Sequence, residues 1–132
     1  MAIRLAARSD DFGDAARLTG KLAPTTFKSF IARNFRENLR RLTGKSLDEI
    51  VGLEAHHVLP RKFARDFTEV GINIHDPLFG SWVNPKAHRQ WSYAYNQRWI
   101  DFLDRKPTQQ EVLNFVHKLA QEYGFDVYLP IP

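Results

Sequence analysis

Gly52-Leu53-Glu54-Ala55-His56-His57-Val58, closed by Pro60, reads as a short extended segment. Successive side chains of such a segment point to opposite sides. His56 and His57 therefore serve different surroundings: one imidazole can bind a metal while its neighbour faces another group. Glu54 alternates with His56 and falls on its side, where a carboxylate can support a metal-bound imidazole or simply meet solvent.

Downstream, Asp76-Pro77 and Gly80 bracket a turn, and Ser81-Trp82-Val83 returns as a second strand. Pro85 suits the first turn of a helix, which places His88 in that turn. A strand pair packed on this helix brings His88 beside His56. A cation held there would stabilise a phosphate oxyanion and a leaving oxygen, and a neutral imidazole nearby could take a proton from water. Taken alone, a His-His pair can also be incidental, one ring bonded to backbone in the core and the other solvated. His75-Asp76 could help at the site but reads first as a turn cap before Pro77, and His117 reads as a solvated residue on the polar face of the last helix.

The remaining chain is mostly helical. Residues 1–23 read as a lead-in or linker, and 24–132 as one domain. Pro24-Thr25-Thr26 looks like a helix start, with Phe27, Phe30, Ile31, Phe35, Leu39 and Leu42 at helical spacing and Gly44 as the stop. Ser46-x-x-Glu49 and Thr108-x-x-Glu111 have the capping-box pattern. Phe63, Phe67 and Val70 mark a short helix, and Ile72-Asn73-Ile74 is expected to be extended. Trp91, Tyr95, Trp99 and Phe102 form the apolar stripe of one long helix. Val112, Phe115, Val116 and Leu119 form that of another, which Gly124 ends. Phe125–Leu129 is expected as an edge strand.

Composition narrows the chemistry. With 132 residues, 43% hydrophobic and 13% aromatic, the chain can bury a core and is not a disordered type. It has no Cys, so any metal must sit on nitrogen and oxygen ligands. No stretch approaches the ~18 apolar residues of a membrane span. Residues 28–65 carry nine basic side chains against four acidic ones, a segment charge of +5 in a chain of net +4. Such a segment beside a candidate site suits a phosphate backbone, though it can also be a solvated helix face.

Glu54-Ala55-His56-His57-Val58-Leu59-Pro60-Arg61-Lys62-Phe63 resembles the AHH branch of the HNH (His-Me finger) nuclease superfamily. The order of later elements fits: Gly71-Ile72-Asn73-Ile74-His75-Asp76-Pro77, Gly80-x-Trp82-Val83, His88-Arg89 and Tyr95-Asn96-x-x-Trp99. The preceding Asn38-Leu39-Arg40-x-Leu42-Thr43-Gly44-Lys45 fits as well. The resemblance covers roughly residues 33–125. It implies an α+β domain with a ββα-metal core that grips one divalent ion, His57 as general base, and His56 and His88 as metal ligands. It implies an endonuclease acting on DNA, with RNA as an alternative. It also implies the tip of a bacterial polymorphic toxin, secreted or delivered into a target-cell cytoplasm and neutralised at home by an immunity protein.

Two positions depart from that pattern. Many relatives carry Asn just before the Gly of the second strand, where it holds the base; here Phe79 stands there, with Asn84 nearby but at another spacing. Many carry a second His four residues after the first on the helix; here it is Ser92. A hydroxyl in place of imidazole favours Mg or Mn, which keep oxygen ligands and waters, over Zn or Ni. Glu54, Ser92 and Asn84 are the expected site neighbours. Arg36, Arg40, Arg41, Arg61, Lys62 and Arg89 are the expected phosphate contacts. The departures also open a second reading, a catalytically weakened relative serving as a nucleic-acid- or immunity-protein-binding module.

Overall fold

The structure, a computed structural model, describes residues 26–130; the lead-in and Pro24-Thr25 lie outside that range. Among the described residues the fold is α+β. Helices α1 (Phe35–Thr43), α2 (Ala64–Glu69), α3 (Pro85–Leu103) and α4 (Gln109–Tyr123) surround one two-stranded sheet of β1 (Glu54–His57) and β2 (Gly80–Val83). No helix among them is long and apolar enough to cross a membrane.

The strands run antiparallel, with Glu54 opposite Val83, Ala55 opposite Trp82, His56 opposite Ser81 and His57 opposite Gly80. Alternation along β1 then divides the sheet's two faces. The His56 ring packs edge-on against His88, Trp91 and Tyr95, all on α3. The His57 ring stacks on Phe35 of α1. The sheet is thus held between α1 and α3, and each neighbour of the His pair looks at a different helix.

Helix α1 begins later than its apolar spacing suggests. Asn38, fully buried, accepts from the Lys28 backbone N–H at 2.8 Å and donates to the Lys28 carbonyl at 2.9 Å. These two bonds hold the segment before α1 alongside the helix rather than within it. Phe27 and Phe30 still reach the core, from a non-helical backbone. Gly44 ends α1 in the left-handed region at φ 69°, where a residue without Cβ is favoured.

The other boundaries follow capping chemistry. Asn84 accepts from the Lys86 and Ala87 amides at the start of α3, followed by Pro85. Asn84 is therefore a helix cap whose carbonyl also accepts from the His88 amide at 2.9 Å, while it stays outside the cleft lining. Thr108 and Glu111 close a reciprocal capping box on α4. Ser46 and Glu49 make the same pair of bonds, but only a turn follows.

Two expected extended segments are not strands. Ile72 and Asn73 are irregular chain after α2, where the Ile72 N–H bonds back to the Phe67 carbonyl, and the Asp76 N–H closes a turn onto the Asn73 carbonyl. Phe125 and Leu129 are buried apolar plugs in irregular chain: no strand edge pairs with them, and Phe125 instead packs on His56 and Trp91. Trp99, Tyr95, Phe67, Val112, Val116 and Leu119 make the main core. Tyr95 donates its hydroxyl to the Val58 carbonyl, tying α3 to the end of β1.

Gly80 is the tightest point of this arrangement. A Cβ there would lie 2.9 Å from Phe35 Cζ and 3.0 Å from Leu39 Cδ1. Its φ of −115° is open to any residue, so the demand is for space. Gly80→Ala should destabilise the fold by about 1–3 kcal/mol, the cost of forcing a methyl into a packed core. Urea unfolding measures it; an unchanged midpoint would mean that Phe35 moves aside freely.

Candidate functional site

An open cleft of about 590 Å³ lies where β1, α1 and α3 meet. Its lining includes Glu54, His56, His57, His88 and Ser92, five residues singled out from sequence, together with Arg36, Arg61 and Lys62. Asn96 joins them. His88, Ser92 and Asn96 are spaced at four-residue intervals along α3, so they share one helix face.

Two imidazoles converge from different elements. His56, 6% exposed, and His88 have ring centroids 4.8 Å apart. His88 Nδ1 donates to Glu54 Oε1 at 2.9 Å, because a carboxylate can only accept. That bond fixes the ring and turns Nε2 away from Glu54, the usual arrangement behind a metal-bound imidazole. On the same face, His56 Nε2 and Ser81 Oγ are buried without hydrogen-bond partners. Burial foremost, then the neighbouring His88 and His57, lowers the His56 pKa to about 3, so the ring is neutral with a lone pair near pH 7.

The side chains present can take a divalent ion: the imidazoles of His56 and His88 converge, and Ser92 and Asn96 line the same cleft. Among the described residues no group of three or more His, Asp or Glu side chains is arranged as a metal cluster.

His57 is built differently. Its ring lies flat on Phe35, centroids 3.7 Å apart and planes 13° from parallel. Its Nε2 is 3.0 Å from His75 Nδ1. Burial, reinforced by His75 and Arg61, lowers its pKa to about 3. His75 is lowered too, by burial and then by Arg61. The turn cap expected of His75-Asp76 is supplied by Asp76 alone, which accepts from the Leu78 amide at 3.0 Å. His75 instead reaches the His57 ring, the lesser of the two readings its sequence position offered.

The basic residues divide. Arg40 and Arg41 both pair with Glu37, at 2.6 and 2.7 Å, and reach the Lys45 and Thr26 carbonyls. Arg40 foremost holds Glu37 at about 2. These two arginines brace α1 and do not line the cleft. Arg36 lines it, but both its terminal nitrogens donate to the Ile50 and Leu53 carbonyls and its guanidinium covers Trp82. It builds the wall. Arg89 is exposed and outside the lining. Arg61 and Lys62 line the cleft with no ion pair among the described residues. His117 is not merely solvated, since its Nε2 donates to the Pro130 carbonyl at 3.0 Å.

Compared with known proteins, the chain matches no family model, no curated protein and no solved structure.

The buried titratable groups set opposite pH limits on the metal-free fold. His56 and His57 fall from 6.5 to about 3 on folding, so the unfolded chain binds more protons between those values. Their contribution is complete above about pH 6.5 and is lost as pH falls through that window. Asp76 rises from 3.8 to about 8, through burial, so its contribution is complete at low pH and lost as pH rises towards 8. With chelator present, urea midpoints should peak near pH 6–7 and decline on both sides. A flat profile between pH 4 and 8 would contradict this burial pattern.

Proposed function

We propose that the chain is a metal-dependent endonuclease that hydrolyses DNA phosphodiesters, built on a ββα-metal core of β1, β2 and α3. The observation that carries this reading is the convergence of His56 and His88 beside a separately held His57 in one open cleft. His56 and His88 would hold the ion, with Ser92 and Asn96 at its edge and Glu54 fixing His88. A bound divalent ion supplies charge stabilisation to the phosphate oxyanion and the leaving oxygen. Mg or Mn suits the oxygen-rich set better than Zn or Ni.

His57 would accept a proton from water as the water oxygen attacks phosphorus and the bond to the 3′-oxygen breaks. Burial keeps the imidazole unprotonated at neutral pH, which the task requires, at the cost of base strength, since a general base works best with a pKa near the operating pH. Arg61 and Lys62 would hold the phosphate backbone. Such contacts position a strand without reading its bases, so cleavage would be sequence-poor. Delivery as a bacterial toxin and neutralisation by an immunity protein are proposed on the sequence resemblance alone.

The test is plasmid cleavage with Mg or Mn. His57→Ala should slow nicking by about 10²–10⁴-fold while leaving the far-UV dichroism and metal binding unchanged. Nicking at the parental rate would remove His57 from the mechanism. DNA bound but left intact by the parent, with each of Mg, Mn, Zn and Ni, would favour a binding module instead.

The division among the cations makes a separate prediction. Lys62→Ala should flatten the salt dependence of DNA affinity by about one unit of slope. Arg40→Ala should leave the slope alone, since Arg40 is committed to Glu37. The reverse pattern would move the DNA path onto α1.

A further inference from the structure

The turn between α2 and β2 brings a third imidazole to the strand pair, and nothing in the reading above uses it. His57 Nε2 and His75 Nδ1 lie 3.0 Å apart. Two neutral imidazoles can share such a bond only if one donates and the other accepts. We propose that His75 is the positioning residue for His57: His75 Nδ1 accepts the Nε2–H of His57, holding His57 in the tautomer whose Nδ1 can take a proton. This rests on the nuclease reading for its consequence in catalysis, but not for the contact itself.

Each remaining freedom of the His57 ring is covered by a different contact. The stack on Phe35 fixes the ring plane. Rotation within that plane, and the choice of nitrogen, are left to the bond with His75. Across the sheet Gly80 has no side chain to offer. The next residue back, Phe79, is apolar and buried. His75 is itself tied down. Its backbone N–H donates to Asn73 Oδ1 at 2.9 Å, and Asn73 Nδ2 donates to the Phe30 carbonyl at 3.1 Å. Asp76, next in the chain, caps the following turn. A half-buried side chain on a braced turn can hold an angle that a free surface side chain cannot.

The chemistry of the acceptor also suits the cleft. A carboxylate would hold His57 as well, but would add negative charge where a polyanion must enter. A neutral imidazole accepts the bond without that repulsion.

The readout is the tautomer of His57 by long-range nitrogen–proton NMR on the full chain, alongside plasmid nicking kinetics. The parent should show His57 protonated at Nε2. His75→Leu should lose that preference and lower kcat by about tenfold to a hundredfold, the usual effect of removing a group that orients a functional imidazole, with KM little changed. His75→Asn, whose Oδ1 can stand where Nδ1 stands, should restore both; a merely space-filling role would be served by Leu and not by Asn. Should His75→Leu unfold, His75→Ala against His75→Asn gives the same comparison. An unchanged tautomer and rate in the apolar variants would overturn the proposal. A parent that never cleaves DNA would instead refute the nuclease reading, and the tautomer comparison would still decide whether His75 holds His57.

Discussion

The register that sets His57 against Gly80 is the constraint on which the site depends. With no Cβ at position 80, Phe35 and Leu39 close onto the sheet, and Phe35 reaches the face of the His57 ring. Stacked aromatic pairs contribute about 0.5–1.5 kcal/mol beyond their buried area. A slip of one residue would turn every side chain of β1 to the other face. His57 would then face α3, and His56 would lose its place beside His88.

The same alternation keeps two kinds of imidazole apart on adjacent residues. Towards α3, His56 meets His88, whose free rotation is removed by Glu54. Towards α1, His57 meets Phe35 and His75. Each pair combines a strand residue with one from a separately braced element: α3 is fixed at its start by Asn84 and Pro85 and along its length by Tyr95 on Val58, and the 73–76 turn by Asn73 and Asp76. Burial makes both strand imidazoles poor bases for bulk protons. It thereby leaves their lone pairs for a metal or a water.

Much of this is legible in the amino-acid sequence itself. Gly44, Pro85, Thr108 and Gly124 mark helix ends by chemistry that acts locally, and those boundaries appear where the residues put them. The apolar stripes of α3 and α4 are local periodicities and are equally plain. What was hidden depends on contacts distant in sequence. Asn38 pins Lys28 and delays α1. Phe125 fills a gap beside His56 where a strand was expected. Arg40 and Arg41 count as free cations until Glu37 is seen between them. His75 meets His57 across 18 residues, which no spacing rule connects. Asn96 needed only the helical repeat from His88 and Ser92, and could have been found.

The proposed site rests on one condition: β1 and α3 together hold a divalent ion through His56 and His88. Pulsed electron paramagnetic resonance of the chain loaded with Mn tests it most directly, because coordinated imidazole nitrogens modulate the electron spin echo. The parent should show coupling to two imidazole nitrogens, His56→Ala and His88→Ala each to one, and His57→Ala should retain both. A parent spectrum without imidazole coupling, or one in which His57→Ala removes a nitrogen, would contradict it.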